Sequence, residues 1–229
     1  MEKKKYMNNK QIYETAKKQS AIDDMINAIR KRPGMFLGNN SITALWHFLN
    51  GYQAAQRDIG MCWKGELFPL RFRYMSEFTN IRLDCHNNLG WCSHILTFCN
   101  DDEKKALDMF FDLYDEYKQI GMRRYWKAVL SEENIRWNNS MEHGASMGNN
   151  KKEPIYADPV AVYVIELTIS AYIVAVETMK YIKLEPQFFQ SLDSAKNDTV
   201  PCGAQTYFGK IDFWEEVSDN NIMFDKNIV

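Results

Sequence analysis

Apolar side chains recur at three- and four-residue steps through much of the chain, the spacing of one buried helical face. Ile22, Met25, Ile26 and Ile29 follow Ser20-Ala-Ile-Asp23, which has capping-box form with Asp in place of Glu. They predict a helix to about Lys31, stopped by Pro33 and Gly34. Ile42, Leu45, Trp46, Leu49, Tyr52 and Ala55 or Gln56 form one face of a second helix, capped by Asn40 or Ser41 and running to about Asp58. The aromatic-rich stretch 66–99 suits short helices or strands, and helices are favoured. Asn100 to Glu103 places acids at the positive end of a helix dipole. Ala106, Leu107, Phe110, Phe111, Tyr114 and Tyr117 then make an apolar stripe opposite Lys104, Asp108, Asp112 and Asp115.

A further helix is expected from Met122 to about Trp137. Residues 159–184 read as one long, mostly buried helix, with Asp158 as cap, Pro159 at its first position and an end before Pro186. Its Val and Ile content also suits a β-hairpin, but no Asn-Gly or Gly-Gly turn interrupts it, which favours the helix. The tail from Asp193 reads as irregular, with Phe208, Ile211, Phe213 and Trp214 docked on the body. The expected fold is therefore mainly α, a single helical domain with at most minor β elements. It comprises a basic arm (1–19), a helical domain (20–137), an Asn- and Ser-rich loop (138–154) and a C-terminal helical section with the irregular tail (155–229).

Composition narrows the class. The 229 residues, 45% hydrophobic and 25% charged, are enough to bury a substantial core without a metal or disulfide staple, and they exclude a disordered or low-complexity chain. A net charge of -2 argues against a dedicated nucleic-acid binder. That total hides an asymmetry: residues 1–32 carry nine Lys/Arg against four Asp/Glu, so an acidic body follows a basic arm. Five cysteines, an odd number, point to a reducing compartment, and MEKKKYMNNKQIYE has no apolar core of a secretory signal, so a cytoplasmic location is expected. Val160 to Leu184 is apolar but interrupted by Glu166, Glu177, Lys180 and Lys183, too charged for a membrane span.

The most distinctive string is Arg30-Lys31-Arg32-Pro33-Gly34-Met35-Phe36-Leu37-Gly38. It resembles the RKRPGMYIG segment of the ATPase subunit of bacterial DNA gyrase, where a helix also precedes and follows. That family implies a Glu that activates water and an Asn that holds magnesium on the next helix. Here ALWHFLNGYQAAQRD carries no Glu, and Gly-rich lid motifs are missing, so ATP hydrolysis is not expected. The pattern of Lys31 to Gly38, Ser41 and SITALWHFLNGYQAA, with Gly90-Trp91 and the acidic helix Asp101 to Tyr117, is also similar to small uncharacterised bacterial proteins. These occur beside secreted toxins and look like immunity proteins; the resemblance spans roughly residues 20–120. Without any family, the string reads as a helix stop and reversal in which Met35, Phe36 and Leu37 enter the core, or as a basic cluster (Arg30, Lys31, Arg32) that meets an acidic partner or a phosphate.

Cys85-His86, Cys92, His94 and Cys99 form a metal-like constellation, of which Cys85, Cys92, His94 and Cys99 are the candidate ligands. Their spacing lacks the close Cys pair that usually seeds a zinc site, and buried small hydrophobes explain the cysteines better. The acidic runs, Asp101-Asp102-Glu103, Asp112 with Asp115-Glu116, and Asp212, Glu215, Glu216 and Asp219, read as a solvated face or as a patch complementary to a basic partner such as a nuclease toxin, with Asp108, Asp112, Asp115 and Glu116 as the binding candidates. No nucleophile with its base and no phosphate loop is visible. These readings predict a non-enzymatic binding protein without cofactors, an immunity protein that occludes a cognate toxin or effector and binds neither nucleic acid nor membrane. The alternatives are a metal-binding or enzymatic domain on the Cys/His set and a regulatory or scaffold protein.

Overall fold

A computed structural model describes residues 22–58, 70–85, 89–140, 155–198, 202–217 and 227–228. The chain forms two compact units, one up to Gln119 and one from Ile120. The division falls before residues 138–154, because the strand at 122–129 pairs with the strand at 159–167, which ties residues 120–137 to the C-terminal section. Of the loop expected at 138–154, residues 138–140 are helical and the rest lie outside the described residues.

The first unit is helical among its described residues. Its elements are α1 (22–31), α2 (Pro33–Leu37), α3 (Ile42–Asp58), α4 (Met75–Arg82) after a 3-10 turn at Phe72–Tyr74, α5 (Trp91–Phe98) and α6 (Glu103–Lys118). Helix α6 begins as its sequence predicts: the Asp102 carboxylate accepts from the Lys105 amide at 2.9 Å. The predicted stripe is buried, together with Leu113. Phe110 sits at its centre, 4.8 Å from the Trp91 ring and stacked on Tyr114 at 5.8 Å. Ser41, rather than Asn40, caps α3, accepting from the Ala44 amide at 3.1 Å. Glu103 fastens that cap to α6, since Ser41 Oγ donates to it at 2.7 Å and Thr43 Oγ1 at 2.6 Å. Trp46, predicted on the buried face of α3, is partly exposed. Ser20, the proposed cap of α1, lies outside the described residues.

The second unit overturns the mainly α expectation. Its elements are β1 (Met122–Val129), α7 (Glu132–Ser140), β2 (Pro159–Leu167), β3 (Tyr172–Thr178), β4 (Tyr181–Phe189), α8 (Leu192–Asn197), α9 (Ala204–Phe208), β5 (Glu215–Val217) and β6 (Asn227–Ile228). They build one sheet in the order β5-β1-β2-β3-β4-β6. Five strands are antiparallel neighbours, and β6 joins β4 in parallel. The chain is thus a mixed α/β protein. The expected helix from Met122 is strand β1 followed by α7, and the expected long helix at 159–184 is β2, β3 and the start of β4.

The reason lies in burial and in turn chemistry. Val162, Val164, Val174 and Val176 on one face, and Ala161, Ile165, Ile173 and Ala175 on the other, are all fully buried. A strand covered on both faces is apolar at every position, so it has no two-residue alternation to separate it from a buried helix. The β2–β3 turn uses Ser170 at a φ of 58° where Gly or Asn is usual. In the β3–β4 turn Thr178 Oγ1 accepts from the Lys180 and Tyr181 amides and donates to the Tyr181 carbonyl. Leu130, Tyr156, Ala195 (α8), Ala204 and Phe208 (α9) complete the core over the first face. Among its described residues the tail holds the end of α8, α9, β5 and β6, against the irregular expectation. Phe208 is buried and Ile211 and Trp214 pack against the core, but Phe213 points to solvent.

Candidate functional site

The basic string ends α1 and forms the short helix α2. Pro33 opens α2 at its first position, and Gly38, at a φ of 77°, closes it by donating to the Gly34 carbonyl at 3.1 Å. Gly34 therefore sits inside a helical turn rather than at the reversal. Met35 is exposed, Phe36 and Leu37 are half-buried, and none of the three enters the core fully. Arg30 is the residue of the set with a fixed role. Its guanidinium donates to Asp115 at 2.8 Å and to the Phe111 carbonyl at 2.6 Å, and lies over the Phe111 ring at 5.0 Å. Lys31 and Arg32 are exposed.

The four acids separate in the same way. Asp115 is engaged by Arg30 and by Lys118 at 3.1 Å, and the Arg30 hydrogen bond holds its carboxyl below the usual carboxylate range. Glu116 pairs with Arg82 at 2.8 Å. Asp108 and Asp112 are exposed one turn apart and carry no ion pair among the described residues. Glu103, which sequence reasoning placed only as a helix-start acid, spans α6 and α3. Burial opposes its charge, but hydrogen bonds from Thr43, Ser41 and the Ile42 amide outweigh that and hold it below the ordinary range.

No group of three or more His, Cys, Asp or Glu side chains among the described residues is placed to hold a metal ion. His94 is buried, with Nδ1 3.0 Å from Thr79 Oγ1, whose proton goes to the Ser76 carbonyl at 3.0 Å. Cys99 contacts the Met109 sulfur at 3.6 Å. Cys92 is buried, which pushes its thiol up to about 11 and leaves it protonated and unreactive near neutrality.

Two buried carboxylates, Glu166 and Glu185, hold positions that nothing in the local sequence signals. Glu166 on β2 accepts from Arg124 Nε at 2.6 Å, and the same arginine donates to Glu216 at 2.9 Å, linking β2, β1 and β5. Glu185 lies where β4 bulges: Ala175 pairs with Leu184 and Ile173 with Phe188, so the register slips across Glu185-Pro186-Gln187. Glu185 accepts from the Tyr156 hydroxyl and from Tyr207 at 2.9 Å, and Lys183 stands 3.3 Å away. Burial and then the adjacent Glu185 charge raise both tyrosines far above their ordinary range. With three donors on one carboxylate, this cluster anchors the 155–158 segment and α9 to the sheet.

The feature best suited to contact another molecule is at one end of that sheet. Val129 at the end of β1 is 74% exposed, Val160 at the start of β2 37%, Met179 in the β3–β4 turn 70%, and Phe213 just before β5 75%. Register and backbone hydrogen bonds bring the segments that carry them side by side, with Val129 opposite Ala161. Leu130 donates to the Val160 carbonyl at 3.0 Å, and Met179 to the Asp158 carbonyl at 3.0 Å. Lys127 pairs with Glu215, which sets Val129 and Phe213 two residues beyond that pair on adjacent chains. Large apolar side chains gathered at one place on a surface mark contact sites more often than scattered ones do.

Among the described residues no helix is long and apolar enough to cross a membrane. In comparisons with protein-family models, curated proteins and solved structures, nothing matches this chain.

Proposed function

We propose that this protein acts by binding another protein, as an immunity protein that covers the active site of a cognate bacterial toxin in the cytoplasm. The observation that carries the reading is the row Phe213, Val129, Val160 and Met179, exposed across consecutive chains of the sheet end. A contact of ordinary size needs an apolar centre with a polar rim, and this row supplies the centre on a rigid element. The internal use of the chemically suggestive groups supports it further. Arg30, Asp115, Glu116, Glu166 and Glu185 each hold the fold together through partners within their own unit.

Co-expression with the product of the adjacent reading frame tests the proposal. Host survival that depends on this protein, and that is lost with Val129→Asp and Phe213→Asp together, is the expected result. Killing that proceeds equally with and without the protein, with no complex recovered, overturns it.

A further inference from the structure

Acidic residues surround the apolar row. Glu132 and Glu133 open α7 directly after β1, Asp158 precedes β2, and Asp212 and Glu215 flank Phe213. Lys210 neutralises Asp212 at 2.7 Å, and Arg136 approaches Glu132 at 3.7 Å. Glu133, Asp158 and Glu215 have no ion pair among the described residues and are exposed. Against them stands Lys180 in the β3–β4 turn; Lys127, next along β1, lies over the Tyr163 ring at 5.5 Å. Among the described residues the rim therefore carries three acids without an ion pair, Glu133 on α7, Asp158 before β2 and Glu215 on β5, against Lys180.

Resting on the binding reading above, we propose that the partner presents a basic protein surface around an apolar centre. Unpaired acids at a rim repel an acidic partner and draw a basic one, raising association rates about 10- to 1000-fold at low ionic strength. The same charges disfavour an anionic membrane, a nucleic acid and a second copy of this chain, which would bring like rims together. The rim is exposed, so salt at about 0.1 M, with a screening length of about 10 Å, damps the attraction.

The test is the association rate between the full chain and the immobilised product of the adjacent reading frame, at about 50 and 500 mM salt. Three proteins are compared: the native chain, Glu133→Lys with Asp158→Lys and Glu215→Lys, and Val129→Asp with Phe213→Asp. All the substituted side chains are exposed, and circular dichroism verifies folding. The native chain should associate at least tenfold more slowly at the higher salt. The lysine variant should lose about tenfold at low salt and most of its salt dependence, whereas the aspartate variant should keep its salt dependence and dissociate faster. A complex whose association ignores both salt and the lysine substitutions overturns the basic partner while leaving the binding reading in place. Absence of any complex with the folded native chain overturns both.

Discussion

Arg30 and Asp115, 85 positions apart in sequence, are joined by a 2.8 Å hydrogen-bonded ion pair that ties the end of α1 to α6. The side chains are 34% and 47% exposed, so the pair alone contributes about 0.5–1 kcal/mol. The added bond to the Phe111 carbonyl raises the loss for Arg30→Ala to about 1–2 kcal/mol. Arg30→Lys keeps the charge but not the two-pronged donor, and should recover less than half of that loss in urea denaturation.

Asp115 and Glu103 set the acid limit of the first unit. Both carboxyls titrate below their ordinary range when folded, so the stability they contribute is complete above the unfolded range of about 4. It is lost as pH falls through the folded values. Glu103→Gln should flatten the decline of the urea midpoint between about pH 5 and 3; an unchanged slope would show that the Ser41 and Thr43 bonds carry no linkage.

Tyr156 and Tyr207 set an alkaline limit on the second unit. Their native ionisation is raised, while the unfolded phenols release protons near 10, so stability declines as pH rises above about 10. Tyr156→Phe removes one donor from buried Glu185 and should cost about 1–3 kcal/mol. Phenolate absorbance should rise together with loss of tertiary circular dichroism, not before it.

Gly203 is held by close approach. A Cβ there would lie 2.6 Å from the Ser194 carbonyl oxygen and 2.8 Å from that of Ala195, both backbone atoms of α8 that cannot step aside alone. Gly203→Ala is expected to cost about 1–3 kcal/mol, read from the thermal midpoint. Gly34→Ala, with nothing within 4 Å, should change stability little by comparison.

These particulars show what the sequence made legible. Helix α6 was readable because Asp102 and the 106–117 stripe express their roles locally, through a cap and a period. Strands β2 and β3 were not, because burial on both faces erases alternation and Ser170 turns the chain without Gly or Asn. Arg30, Asp115 and Glu116 were identified as charges, but nothing local to residue 30 names a partner at 115. The sheet-end row was beyond reach for the same reason: the segments that carry Val129, Val160, Met179 and Phe213 come side by side only through strand register and backbone hydrogen bonds. Alternation along Met122 to Val129, with Tyr125 and Lys127 set against Trp126 and Ala128, was the one available signal for a strand there.

Amide hydrogen exchange on the complex with the adjacent reading frame's product tests the central claim most directly. The account predicts slowed exchange at residues 129–133, 158–160, 178–180 and 212–215, with α6 around Asp108 and Asp112 exchanging as in the free protein. Protection confined to α6, or the same exchange with and without the partner, would contradict it.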